Sequence, residues 1–323
     1  MTQNTKYFDV SNWQFFGARS TAREILEGSV VEQYAILEDY CKQLLKTNYG
    51  STTKIQTDLV DGKRVFDKVY ICLRAAKDRF IRGCRRIIRL HGCHLKGYCK
   101  GILLVAIGID GSTFIFPIAY AVVGKENTES WTWFSELLKE DLHPTNPCMD
   151  TMMSDKQKGL QNAMEKILIG VDSRFCVRHM HNNFKKDFPG LLLKQILWSA
   201  ARATTPAKFE SRMKDVDEKA YNWLAAKNPS EWSKSHFKGG VKCDMLLNNC
   251  CKSFNNAIME ARDKTIVTLM ESLRLWRMRR FNKNRENVDK WKNPVHNNIM
   301  KILEKQTEIA TNCSVELATT STF

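Results

Sequence analysis

The sequence has no stretch long enough to serve as a membrane span or a secretory leader. No run approaches the roughly 18 apolar residues that a transmembrane helix needs, and the opening MTQNTKYFDVSNW lacks an apolar segment. Internal repeats and low-complexity tracts are also missing. The 11 cysteines are spread from Cys41 to Cys313. We therefore expect a reducing intracellular compartment in which most cysteines are buried thiols.

Acidic residues are scarce relative to basic ones. The 323 residues include 50 Lys and Arg against 35 Asp and Glu, which gives a net charge of +15. Because cationic side chains beside phosphates release counterions, this balance favours a polyanionic partner such as nucleic acid. A soluble surface that is merely basic is the alternative. The hydrophobic content of 43% suffices for one or two domains.

The hydrophobic pattern predicts an α/β fold. Residues 20–47 have helical spacing, whereas residues 85–123 have the pattern of three strands with tight turns, one of them at Asp110-Gly111. Such strands form an antiparallel meander. A helix, the strand MDTMMS, a second helix and the strand SRFCVRH follow, and helices between strands imply parallel pairing. This order predicts an RNase H-like core.

The same pattern divides the chain into five parts. A helical N-terminal region and linker is predicted at 1–84, and the first part of the core at 85–190. An all-helical insertion follows at 191–245, then core-completing helices at 246–291, the first of them spanning 246–262. The tail is 292–323.

Six strings in this sequence resemble, in the same order, the plant Mutator-like element (MULE) transposases. The resemblance extends from about Ala22 to Trp291 and rests on GCRRIIRLHGCHLKG, IGIDGSTFIFPIAYAVVGKENTESWTWFSELLKEDL, MSDKQKGL, RFCVRHMHNNFK, EWSKSHF and KCDMLLNNCCKSFNNAIMEARDK. It implies a nuclear DDE transposase, in which three carboxylates hold two Mg²⁺ or Mn²⁺ ions for DNA cleavage and strand transfer.

Only one of the family's three acids has a matching acid in this chain. Asp155 matches the second acid, with a helix N-cap as its alternative role. His91 occupies the first position, on one strand face with Arg89 and Cys93. It is either a polar remnant or a ligand for Zn²⁺ or Mn²⁺, since imidazole is a poor Mg²⁺ ligand. Lys252 replaces the glutamate and would repel a metal. The trio therefore carries about zero charge instead of about −3, which predicts an inactive site.

Cys176, His179 and His181 resemble a fragment of a zinc site. Zinc needs about four ligands, and His236 or Cys243 could complete the set. The alternative is a buried Cys176 on a strand, with the histidines capping the next helix.

Basic residues form two clusters along the chain. They predict either contacts with DNA phosphates or ordinary solvated faces, and Lys252 itself could bind a phosphate where metals once lay. The candidate nucleic-acid contacts are Arg85, Arg86, Arg277, Arg279, Arg280, Lys283 and Arg285.

The sequence thus predicts a transposase-derived protein that is catalytically inactive but retains nucleic-acid binding. Family members commonly carry an N-terminal DNA-binding region and a C-terminal SWIM zinc finger, and we expect neither here. One alternative is a domesticated module that binds DNA, a second copy of itself or an intact transposase. Another is an active strand-transfer enzyme that uses other acids. A third is the reading frame of a decayed element.

Overall fold

The protein is built around a seven-stranded mixed sheet with helices on both faces. The computed structural model describes residues 11–97, 100–142, 151–214, 216–238, 241 and 243–313. The strand order is β1-β2-β5-β4-β3-β6-β7. The strands are β1 (Thr52–Val60), β2 (Lys63–Cys72), β3 (Ile88–His94), β4 (Ile102–Ile109), β5 (Ile115–Val123), β6 (Thr151–Ser154) and β7 (Asp172–Phe175).

Helices precede, connect and follow these strands. The first part of the chain has α1 (Asn12–Glu27), α2 (Val30–Ala35), α3 (Leu37–Thr47), α4 (Arg74–Gly83), α5 (Thr128–Leu142), α6 (Lys158–Ile167) and α7 (Val177–Asp187). The second part has α8 (Leu191–Arg202), α9 (Pro206–Lys214), α10 (Glu218–Ala225), α11 (Asn249–Ala257), α12 (Ile266–Val288) and α13 (Asn297–Ala310), with 3-10 turns at Pro229–Glu231, Lys234–His236 and Ala261–Asp263. Within the described ranges, no helix is long and apolar enough to cross a membrane.

The predicted meander and parallel strands are present. β3, β4 and β5 pair antiparallel, whereas β6 pairs parallel with β3, and β7 with β6. Strands β3, β5, β6 and β7 consequently run in the same direction. We call the side of the sheet where these four strands end the carboxyl edge, and the side where they begin the amino edge.

A β-hairpin in the first 84 residues corrects the prediction of a purely helical region and linker. β1 and β2 pair antiparallel through Val60 and Lys63. Asp61 (φ 51°) and Gly62 (φ 74°) between them both adopt the left-handed conformation of a tight hairpin turn. The hairpin extends the sheet because β2 also pairs with β5.

Several boundaries also differ from the predicted ones. Gly28 (φ 80°) and the capping Ser29 divide the predicted helix at 20–47. Asp110-Gly111 does not form a two-residue turn. Ile109 pairs with Ile115, and the positive φ of 70° falls on Thr113. The strand predicted from SRFCVRH ends at Phe175, since α7 begins at Val177, and the helix predicted at 246–262 is shortened to α11.

Three large apolar clusters and a small one around Ile87 and Met153 hold the described elements together. Trp131 and Phe134 of α5 pack on one face of the sheet with Ile88 and Leu90. On the other face, residues of α11 and α12 pack against Cys93 and its neighbours. The helical segment after α7 has its own cluster, which includes the buried Trp232. Ile88 and Leu90 thus face away from Cys93, as the strand alternation predicts.

Candidate functional site at the carboxyl edge

The pairing of β3 with β6 brings two of the predicted site residues together. Arg89 is level with Met153 in this parallel pair. Continuing the register by two residues places His91 level with Asp155, just beyond the end of β6. The negative charge of Asp155 accordingly acts on the His91 imidazole. The first and second DDE positions therefore meet at the carboxyl edge.

Asp155 is half-buried in the loop between β6 and α6. The alternative role of Asp155 as a helix N-cap is wrong, because the side-chain oxygen of Gln157 accepts from Leu160 N (2.8 Å) and caps α6. The intervening Lys156 has a φ of 57°, and its Nζ donates to Glu231 Oε2 at 2.5 Å. The Asp155 loop is thereby tied to the helical insertion.

His91 is bonded to α11 through its outer ring nitrogen. Asn255 Nδ2 lies 3.0 Å from His91 Nε2. Because an amide nitrogen can only donate, Nε2 is the acceptor of this bond and its lone pair is occupied. Burial lowers the pKa of His91, and the nearby Asp155 only partly opposes this effect. His91 is therefore a neutral, hydrogen-bonded side chain at neutral pH.

The lowered pKa of His91 predicts a stability that depends on pH. A histidine with a folded-state pKa below its usual value contributes stability that is complete above about 6.5 and declines as the pH falls towards the folded value. We expect urea unfolding to show a loss of stability between pH 7.5 and 5.5 that His91→Gln reduces. His94→Gln is the control. An equal pH dependence in the wild type and His91→Gln would contradict the assignment.

Lys252 is exposed on α11, within reach of the same edge. The hydrogen bond to Cys176 raises the pKa of His179, and the charge of Lys252 partly opposes this rise. Lys252 has no ion-pair partner in the part of the chain that the structure describes. Its position as the third DDE residue stays a prediction. A cation here would act against any divalent metal beside Asp155.

Two buried guanidinium groups lie beneath this edge. Arg89 (0% exposed) and Arg174 (2% exposed) flank Met153 on the adjoining strands β3 and β7. Arg174 Nη1 donates to Cys243 O at 2.5 Å, whereas Arg89 Nη2 contacts Met245 Sδ at 3.2 Å and its Nε and Nη1 have no partner. Buried cations without a paired carboxylate make the surrounding potential positive.

Glu126 is a site residue that the sequence analysis missed. Glu126 follows β5 at the carboxyl edge, and its carboxylate lies over Gly92. A Cβ atom added to Gly92 would be 2.7 Å from this carboxylate. Trp131 Nε1 donates to Glu126 Oε1 at 3.2 Å. Burial raises the pKa of Glu126, and the charge of Asp155 raises it further. Glu126 and Asp155 are thus two carboxylates within electrostatic reach of each other.

Cys176 and His179 form a pair at the start of α7, without His181. Cys176 is buried and its Sγ accepts from Asn248 N at 3.2 Å. Burial raises the pKa of the Cys176 thiol, but its hydrogen bonds to His179 and Asn248 outweigh burial and lower it. Burial lowers the pKa of His181, and the charges of Lys194 and Lys185 lower it further. In the described ranges no group of three or more His, Cys, Asp and Glu residues could hold a metal, so the predicted zinc fragment is not assembled.

The predicted nucleic-acid contacts differ in how far their side chains are exposed. Arg277 is only 3% exposed, which corrects its assignment as a phosphate contact. Arg280 is half-buried, with its Cζ 5.8 Å from the ring centroid of Phe114 and 5.6 Å from that of Trp276. Arg85 is half-buried beside Ile109. The remaining candidates are exposed: Arg86, Arg279, Lys283 and Arg285.

These residues do not fit a pair of divalent metals. Two such ions need several anionic oxygen ligands. Position 91 offers an imidazole nitrogen already bonded to Asn255, and position 252 holds an ammonium group. The three predicted DDE positions therefore supply one carboxylate, that of Asp155, and Glu126 is a second carboxylate at this edge.

The comparison with protein families agrees with this architecture. Residues 87–183 match the MULE transposase domain, a segment that includes His91, Asp155, Cys176 and His179. Residues 87–183 thus carry a MULE transposase domain, and the predicted resemblance to the Mutator-like transposases is confirmed over this segment. No curated protein matches the chain.

Proposed function

We propose that this transposase-derived protein binds DNA phosphates at the carboxyl edge without cleaving them. The strand order β5-β4-β3-β6-β7, three antiparallel strands followed by two parallel ones, supports an RNase H-like core. The proposal includes a nuclear location, where the DNA lies. Association with a second copy or with an intact transposase is a further part of it that size-exclusion chromatography without DNA would test.

One observation carries this proposal: the carboxylates of this edge, Asp155 and Glu126, are accompanied by cations where a metal-binding trio has a third carboxylate. Asp155 lies level with the neutral, hydrogen-bonded His91, and the charges of Asp155 and of the exposed Lys252 both act on His179. The buried Arg89 and Arg174 add positive potential from below. This field repels divalent cations and attracts phosphate.

Lys252 supplies the exposed group that a phosphate would meet. Its ammonium has three donors and is free of carboxylate partners in the described part of the chain. Asp155 would disfavour a phosphate placed directly over it, so we place the phosphate on the Lys252 side of the edge. Binding at this position would release counterions and depend on salt.

Removing the charge of Lys252 should weaken DNA binding in a salt-dependent manner. For Lys252→Gln we expect the slope of log affinity against log salt to decrease in magnitude by about 0.9, the value for one lost phosphate contact. Fluorescence anisotropy with a labelled duplex at several salt concentrations measures the slope. Lys208→Gln on α9 is the control, since it removes one exposed lysine of the insertion. Equal slopes for the two variants would refute the phosphate site.

A second candidate function rests on Glu126. Its carboxylate and that of Asp155 lie at the same edge, so the chain could retain metal-dependent cleavage that uses a replacement acid. We favour the first candidate because the described residues contain no group of three or more potential ligands. Metal-dependent nicking of plasmid DNA by the unmodified protein, abolished by Glu126→Gln, would decide for the second candidate.

A further inference from the structure

Segments that are far apart in sequence meet at the amino edge. The ring of Phe281 on α12 stacks on Phe116 of β5, with centroids 5.0 Å apart. The guanidinium carbon of Arg79 on α4 lies 4.9 Å from the Phe281 ring centroid. Arg85 N donates to Ile109 O at 2.8 Å, next to the turn that carries Phe114. The ends of α4 and β4, the start of β5 and the second half of α12 are therefore neighbours.

This convergence places exposed cations of α4 and α12 at the same edge. Arg79 and Arg82 at the end of α4, and Lys283 and Arg285 at the end of α12, are all exposed. None of these four forms an ion pair within the described ranges. Three nearby acids have other partners: Asp110 Oδ1 accepts from Ser112 N (3.0 Å) and Phe114 N (2.8 Å), Asp78 pairs with Arg74, and Glu286 Oε1 accepts from Asn282 Nδ2 (2.6 Å).

Aromatic packing fixes the two helices that carry these cations. Arg79 is held against Phe281, and Phe281 against the sheet. Arg280 is wedged between Phe114 and Trp276, so the helix cannot rotate without breaking these contacts. A cationic surface on a rigid support loses less conformational entropy on binding than one on flexible tails.

We propose that Arg79, Arg82, Lys283 and Arg285 form a second DNA-binding surface, which takes the backbone of a duplex at the amino edge. Four cations without carboxylate partners fit the regular phosphates of DNA better than a protein with mixed charges. The proposal rests on the proposed function only in taking DNA as the partner. It involves neither Asp155 nor Lys252.

The two surfaces are too far apart to bind the same phosphates. Arg86, at the amino edge, and His91, near the carboxyl edge, are separated by five residues, most of them in the extended β3. At about 3.3 Å per residue this separation is about 16 Å. At this separation the two surfaces contact different phosphates. The amino-edge surface therefore adds affinity that is independent of the carboxyl edge.

The test compares two variants that each remove four positive charges. One is Arg79→Gln/Arg82→Gln/Lys283→Gln/Arg285→Gln. The matched control is Lys46→Gln/Lys208→Gln/Lys214→Gln/Lys219→Gln, which changes exposed lysines of α3, α9 and α10. Anisotropy with a labelled duplex of about 20 base pairs should show the salt slope of the first variant reduced by about 3–4. The control should keep a slope close to that of the wild type.

Three outcomes would overturn the proposal: equal slopes for the two variants, no change in the first variant, or stronger competition by RNA than by duplex DNA. Arg82→Gln/Lys283→Gln, which breaks no contact that the structure shows for those side chains, covers the case in which the fourfold variant unfolds, with an expected slope reduction of about 2. Lys252→Gln separates this surface from the carboxyl edge. If Lys252→Gln weakens DNA binding and the amino-edge variant does not, the proposed function stands and this inference fails. If only the amino-edge variant weakens DNA binding, this inference stands and the proposed function fails.

Discussion

The double variant His91→Asp/Lys252→Glu is expected to nick supercoiled DNA in Mg²⁺ or Mn²⁺, whereas the wild type does not. The two substitutions restore the charge of an acidic trio around Asp155, whose loop and strand are in place at the carboxyl edge. The two restored carboxylates together should raise the nicking rate by about 10²-fold or more, because such groups supply the main electrostatic stabilisation of this chemistry. Gel electrophoresis of plasmid forms over time measures the rate.

The single variants and one further substitution make this result interpretable. His91→Asp or Lys252→Glu alone should stay near background, since the remaining Lys252 repels the second metal and the remaining His91, bonded to Asn255, supplies no anionic oxygen ligand. Asp155→Asn, added to the double variant, should abolish nicking with little change in shape. Nicking that persists after Asp155→Asn would mean that other residues, or a contaminant, perform the cleavage. No nicking by a folded double variant would mean that position 252 does not face Asp155.

Gly159→Ala is expected to destabilise the protein by about 1–3 kcal/mol, the usual cost of overpacking. A Cβ atom at Gly159 would lie 2.8 Å from Asn127 C and 2.9 Å from Thr128 N. Both are backbone atoms at the start of α5, where Asn127 Oδ1 accepts from Ser130 N. The backbone there cannot move without disturbing that cap. Urea unfolding followed by circular dichroism gives the free energy of unfolding.

Gly83→Ala provides the matched control for this effect. Gly83 is the last residue of α4, and a Cβ atom there meets nothing within 4 Å. Alanine also favours helix over glycine, so Gly83→Ala should leave stability unchanged or raise it slightly. If both glycine variants lose the same stability, the close contact between α6 and the start of α5 is not the cause.

The sheet was predictable where one signal dominated. In β3, β4 and β5 the apolar runs and the turns between them indicate strands, and the structure has all three. The hairpin β1-β2 could also be predicted, because Asp61-Gly62 between alternating residues is typical of a tight hairpin turn. The burial of Arg277 could also be inferred, since Leu273, Arg277 and Phe281 share one helix face.

The site needed tertiary information that no local pattern contains. The bond between His91 and Asn255 joins residues 164 positions apart. Glu126 meets the site only because β5 and β3 end at the same edge, which follows from the pairing of both strands with β4. The N-cap of α6 falls on Gln157 because Lys156 turns the chain into the left-handed region, and neither Asp155 nor Lys156 announces that turn in sequence.

The ion pair between Lys156 and Glu231 connects the helical insertion to the loop that carries the neighbouring Asp155. Both side chains are largely shielded, at 21% and 20% exposed, so releasing one leaves a poorly hydrated charge on the other. A shift of the segment at Pro229–Glu231 would therefore pull on the backbone that presents Asp155. The insertion and the loop that carries Asp155 are therefore coupled. Shortening the insertion would change the position of Asp155 at the carboxyl edge without changing any residue of the sheet.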